Sequence, residues 1–191
     1  MRSRFSTRLL HTLLPLALLA CTLEIDRKPK LPPITQEGRN TLGFKVDDKP
    51  WTTGGESCNW FTCEDNVPTA TLYREYDKTP FLFVLEGRYA SVNHKVAQEF
   101  SVKVEDVAGA RTYKLDPKKE EWMLFANSSL SEKMFRNGDN YEAELVITRF
   151  DTVNNIVSGQ FKGRLDNYYW NPGEVAEITE GRFDCRLKYV R

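Results

Sequence analysis

The sequence predicts an all-β fold, an antiparallel sandwich or partly open barrel of about eight to ten strands, on three observations. Apolar residues recur at every second position in several runs, most clearly Tyr141, Ala143, Leu145, Ile147 and again Phe183, Cys185, Leu187, Tyr189. Turn-forming residues separate the runs, as in Asp47-Asp48-Lys49-Pro50 and Asn171-Pro172-Gly173. No long stretch carries several turns of helical period, so the helical crossovers that a parallel α/β sheet requires are missing.

The elements follow in order. Leu42, Phe44 and Val46 alternate with Gly43 and Lys45, the four residues from Asp47 to Pro50 read as a turn, and Trp51 resumes a strand. Residues 53–66, with glycines, two cysteines and several acids, read as a loop. Residues 69–75 and the apolar run 81–85 read as strands, while 87–95 fits neither period. In 96–104, Phe100, Val102 and Val104 share a face, with Gln98 out of pattern. Gly109 breaks the chain, Tyr113 and Leu115 point together, 116–119 is a charged turn, and 122–126 is apolar and expected to be buried. Residues 130–136 fit either one short helix, capped by Ser129 or Ser131, or a further strand.

The C-terminal third is clearest. A strand carrying Leu145 and Ile147 turns at 151–155, where Asp and Asn suit the geometry and bond to local amides. Residues 156–165 return, with Gly159 and Gly163 as sites for a bulge or bend. After Gly181 the last strand places Cys185 on the apolar face as an inert core thiol, with Asp184, Arg186 and Lys188 opposite.

The N-terminus reads as an address. Arg2, Arg4 and Arg8 precede residues 9–20, which are apolar except for His11 and Thr12. That run is far shorter than the roughly 20 residues a membrane-spanning helix needs, and the pattern is that of a signal peptide. Leu18-Leu19-Ala20-Cys21 resembles the lipobox of bacterial lipoproteins. The resemblance implies cleavage before Cys21, a diacylglycerol on its thiol and acyl chains such as palmitate. Two or more chains hold a protein stably at a bilayer. The expected organisation is a signal peptide over 1–20, a lipidated proline-containing tether over 21–40 and a single β-rich domain over 41–191.

Composition excludes little beyond nucleic-acid partners. Acids and bases balance at 27 each, and no Lys/Arg block forms a phosphate-tracking surface. Beyond Cys21 three cysteines follow, Cys58, Cys63 and Cys185. A Cys58–Cys63 bridge closing a small loop is the plainest pairing, with a long-range bridge involving Cys185 and no bridge at all as the alternatives. With His94 the one histidine past the signal, no zinc set is complete, and no metal or cofactor is expected. Asp47-Asp48 and Glu64-Asp65 lack the spacing of a calcium loop. Neither a nucleophile elbow nor a phosphate loop is present. A carboxylate pair for hydrolysis cannot be picked from the 27 acids.

Two aromatic groups stand out as a binding patch. Trp60 and Phe61 lie between Cys58 and Cys63, and Tyr168, Tyr169 and Trp170 precede a turn. Such rings can stack on a glycan or a protein partner, or fold down to cover the ends of the β-structure.

The segment from Ile147 to Phe161, with its Asp-containing turn and Ser158-Gly159-Gln160-Phe161, resembles a group of uncharacterised Bacteroidetes envelope lipoproteins. So do Thr41-Leu42-Gly43-Phe44-Lys45-Val46 with Trp51, and Glu180-Gly181-Arg182-Phe183-Asp184 near the end. The resemblance implies a β-rich lipoprotein of the outer membrane, on its periplasmic or its surface face, and implies no activity. The resulting expectation is a lipid-anchored, non-enzymatic binding or interaction module. A passive accessory subunit of an outer-membrane complex and a carboxylate-based hydrolase stand as alternatives.

Overall fold

A computed structural model describes residues 29–58, 60–73, 81–91, 96–127, 133–167 and 173–190. Cys21, His94, Tyr168, Tyr169 and Trp170 lie outside the described residues.

The fold is almost entirely β. The strands are β1 (Thr41–Val46), β2 (Lys49–Thr52), β3 (Glu56–Cys58), β4 (Cys63–Asp65), β5 (Thr69–Tyr73), β6 (Phe81–Ala90), β7 (Ala97–Val107), β8 (Thr112–Lys114), β9 (Trp122–Asn127), β10 (Lys133–Arg136), β11 (Ala143–Asp151), β12 (Ile156–Asn167) and β13 (Val175–Val190). They exceed the expected number because 53–66 holds a short hairpin and 133–136 is a strand rather than part of a helix. The one helical element described is a 3₁₀ turn at Pro117–Lys119, where the Asp116 side chain accepts from the Lys118 amide at 3.0 Å.

Eleven strands form one sheet in the order β2-β1-β13-β5-β6-β7-β9-β10-β12-β11-β8, and β13 also pairs with β12. That extra pairing returns the sheet to its own middle, so β13, β5, β6, β7, β9, β10 and β12 form a closed ring. Strand length makes this possible. Along one edge β13 pairs first with β1, from Val46↔Ile178 to Thr41↔Asp184, and then with β5, from Leu187↔Ala70 to Val190↔Tyr73. The β13–β5 pair is parallel, in a sheet expected to be antiparallel throughout. β12 likewise divides one edge between β11 and β10.

Aromatic rings fill the enclosed space. Phe44 lies 4.5 Å from Phe100 between ring centroids and 4.6 Å from Trp51, and Phe100 stacks on Phe161 at 4.7 Å. Such pairs add about 0.5–1.5 kcal/mol each beyond the area they bury. Gln98, out of pattern in the sequence, accepts the Trp51 Nε1 hydrogen at 2.9 Å. It satisfies the one polar atom that a buried indole brings with it. In β9 only Met123 and Phe125 are buried, whereas Trp122 stands half-exposed outside, with Lys103 and Arg136 against its ring. The whole 122–126 run was expected inside, and alternation along the strand sends half of it out.

The turns at 47–48 and 151–155 match their sequence signals, whereas Asn171 and Pro172 lie outside the described residues. Asp47 and Asp48 take φ of +47° and +63° between Val46 and Lys49, the left-handed pair that a two-residue hairpin requires. Lys49 and Pro50 already belong to β2, a sheet-edge strand that tolerates proline. In the 151–155 turn, Asp151 Oδ1 accepts the amides of Val153 and Asn154 at 3.1 and 2.8 Å. Hydrogen bonds from the Arg149 and Asn154 side chains hold the Asp151 carboxyl below the usual range.

Asp184 departs from expectation. Alternation assigned it to the polar face, yet it is 1% exposed. Residues 35–39 fold over it. Its Oδ2 accepts from Thr35 Oγ1 at 2.6 Å and from the amides of Glu37 and Arg39 at 3.0 and 3.3 Å. Its Oδ1 accepts from the Gly38 amide and from Ser158 Oγ, both at 2.7 Å. Burial alone would raise its pKa. The Thr35 and Ser158 hydroxyls and the Glu37 and Gly38 amides outweigh that and hold it down at about 2. The segment is fastened further by Gln36, which donates to Thr148 Oγ1 at 3.0 Å and accepts from Arg149 through its carbonyl. The second half of the expected tether is therefore laid on the domain.

Candidate functional site

The hairpin β3–β4 carries at its tip the two most exposed large apolar side chains among the described residues. Its register is Glu56↔Asp65, Ser57↔Glu64 and Cys58↔Cys63. The last pair face each other directly, with Cα atoms 4.0 Å apart, and form a disulfide. Of the pairings open to the sequence this is the local one, and Cys185 is free and buried.

The hairpin stands on a defined base. Gly55 has φ of +75°, and a Cβ there would lie 1.7 Å from the Ala90 carbonyl oxygen, so only glycine lets the chain leave β2 so close to β6. The Gly54 amide donates to Arg88 O and the Ala90 amide to Gly54 O, both at 3.1 Å. Asn66 closes the other leg. Its amide donates to Gly55 O at 2.9 Å, its Nδ2 to Gly54 O at 3.1 Å, and its Oδ1 accepts from Ser57 Oγ at 2.6 Å.

At the tip Trp60 is 98% exposed and Phe61 95%. Neither ring folds down. Among the described residues every other Trp and Phe is buried or half-buried. Beneath the tip a cleft of about 440 Å³ runs between hairpin and barrel. Ser57, Glu64 and Asp65 line it from the hairpin, and Thr69, Glu86 and Arg88 from the strands opposite. Arg88 pairs with Glu99 at 3.2 Å. The two aromatics are not among the residues that line it.

Two of the five residues expected in the binding patch, Trp60 and Phe61, are thus exposed together. The remaining three, Tyr168, Tyr169 and Trp170, lie outside the described residues. The cleft wall was not read from the sequence. Alternation in β6 does turn Glu86 and Arg88 outward, but nothing local says that a hairpin from 56–65 will pack over them.

Among the described residues, Glu56, Cys58 and Cys63 form the one group of potential metal ligands close enough to share an ion, with ligand atoms within 4.8 Å. Both sulfurs are joined to each other, which leaves no thiolate pair. A second cleft, of about 640 Å³, lies between Lys114, Asp116, Asp139, Tyr141 and Lys162. Charges of both signs line it, and Lys162 is paired with Glu144 at 3.1 Å. Among the described residues no helix is long and apolar enough to cross a membrane. Compared with family models, with curated proteins and with solved structures, the chain matches none.

Proposed function

We propose that this chain is a lipid-anchored envelope protein, non-enzymatic, whose barrel presents the disulfide-closed hairpin 56–65 as its binding element. The observation that carries the reading is the pair Trp60 and Phe61, nearly fully exposed side by side on a braced hairpin. Hiding rings of that size from water is favourable by about 1.5–3 kcal/mol each, so leaving two out is a standing cost to solubility that a partner would remove. A hairpin already closed by a covalent bond loses little freedom when it binds. The lipobox Leu18-Leu19-Ala20-Cys21 supports placement at a membrane, and the likeness to Bacteroidetes envelope lipoproteins supports the outer one.

A photo-crosslinking amino acid at position 61 in cells tests the binding role, with Lys119, exposed on the 3₁₀ turn, as the control position. Adducts to an envelope component from 61 and not from 119 are the expected result. Equal or absent adducts at the two positions defeat the assignment. For the anchor, Cys21→Ala is expected to release the chain from the membrane fraction, and retention of the variant there defeats it.

A further inference from the structure

We infer that the first partner of the hairpin is the lipid surface itself. Trp60 and Phe61 seat in the interfacial layer of the bilayer that holds the acyl chains of Cys21, as a second contact beside the lipid. This rests on the lipid-anchored reading above.

Shape favours a surface over a small ligand. Sites for sugars and other small molecules are concave, with rings forming a wall. Here the rings crown a projecting tip, and the cleft below is lined without them. A Trp beside a Phe at a convex tip suits the headgroup region, where an indole keeps its N–H hydrated while its ring leaves water.

Reach is consistent with it. The N-terminal segment meets the barrel beside the hairpin. Pro32 Cδ lies 2.5 Å from where a Gly43 Cβ would be, and Gly43 pairs with Thr52. Thr52 leads directly into the hairpin base at Glu56. From Thr52 to Trp60 the chain spans at most about 26–29 Å. From Cys21 to Pro32 it spans at most about 35–40 Å. A lipid on Cys21 and the tip can therefore occupy one bilayer surface.

Charge narrows the kind of surface. The stalk carries Glu56, Glu64 and Asp65 and no basic residue. Glu64 faces Ser57 one register step behind the disulfide, close enough to feel the headgroups when the rings are seated. Basic segments are drawn to anionic leaflets, and an acidic stalk is repelled by them. The seat is apolar, and the preferred surface is zwitterionic.

The test uses the native chain purified from membranes and reconstituted into phosphatidylcholine vesicles with brominated acyl chains. Tryptophan emission should be quenched, the part owed to the tip should vanish in Trp60→Phe, and acrylamide should fail to reach Trp60. Replacing a third of the lipid by phosphatidylglycerol should reduce the Trp60 quenching. Because Trp60 is exposed, its replacement leaves the core intact, which near-UV circular dichroism checks. Mass spectrometry of the same sample reads the acylation of Cys21 separately. An acylated chain whose Trp60 stays open to acrylamide and unquenched by bromine overturns the seat and leaves the anchor standing. A chain without acyl groups overturns the anchor, and the same vesicles then read the tip unaided, with absence of quenching overturning the seat as well. Quenching that strengthens with phosphatidylglycerol, or a Trp60 response confined to soluble peptidoglycan fragments, also overturns it.

Discussion

The ring of Phe183 lies over Gly159 across the β12–β13 pair, with Cε1 2.7 Å from the point a Gly159 Cβ would occupy. The neighbouring pair repeats the arrangement in reverse, with Phe161 Cδ2 2.4 Å from the corresponding point on Gly181. Each glycine is the space its facing phenylalanine fills. Gly159→Ala also meets the Val146 carbonyl oxygen at 2.2 Å, so the backbone must yield. The expected loss is about 1–3 kcal/mol, or roughly 2–4 °C in Tm per kcal/mol. Gly109, with nothing within 4 Å of its Cβ position, is the control, and Gly109→Ala should leave Tm unchanged or slightly higher. Thermal unfolding followed by circular dichroism measures both.

Asp184 makes stability fall in acid. Its carboxyl titrates at about 2 in the fold against an ordinary 3.8. Above 3.8 its contribution is complete. As pH drops from there toward 2 the unfolded chain takes up the proton first, and the contribution is lost. The amount is about 2 kcal/mol. Urea midpoints at neutral pH and at pH 2.5 should differ more for the native chain than for Asp184→Asn, since the other carboxylates titrate in both. The variant should also expose residues 35–39 to proteolysis, because an amide has fewer acceptor sites for the five donors around it.

Reducing Cys58–Cys63 should loosen the hairpin and spare the barrel. The bond spans a sequence separation of five residues in a two-stranded sheet of its own. Closing so short a loop is worth about 2 kcal/mol in chain entropy, felt by the segment it closes. With a reductant, amide exchange over 56–65 is expected to speed up while Tm moves by less than about 2 °C.

Cys185 should resist thiol reagents in the folded chain. It is 0% exposed, and burial together with the adjacent Asp184 carboxylate pushes its thiol up to about 12. Alkylation at neutral pH should register at this position only in denaturant, as peptide mass mapping would read.

Local chemistry made much of this legible, and long-range packing hid the rest. Alternation located Leu145, Ile147, Phe183 and Cys185 in the core because one face of each strand is covered along its length. The Asp47-Asp48 turn and the Asp151 turn were readable because both are complete within a few residues. The Cys58–Cys63 pairing was readable for the same reason. Asp184 was misassigned because its cover comes from residues 35–39, far away in sequence, and alternation sees only a strand's own two faces. The hairpin 56–65 read as a loop because three-residue strands with every side chain exposed leave no periodic signal. The wall of its cleft was hidden because it joins that hairpin to β5 and β6.

The parallel seam between β5 and β13 fixes an order of events. Ala70 can find Leu187 only after the 116 residues between them are available, and until then β5 and the middle of the sheet present unpaired edges. Contacts of such sequence separation form slowly, and open edges invite pairing between chains. A growing chain that lacks residues 187–190 lacks the seam, so the ring of strands can close only once those residues have been made.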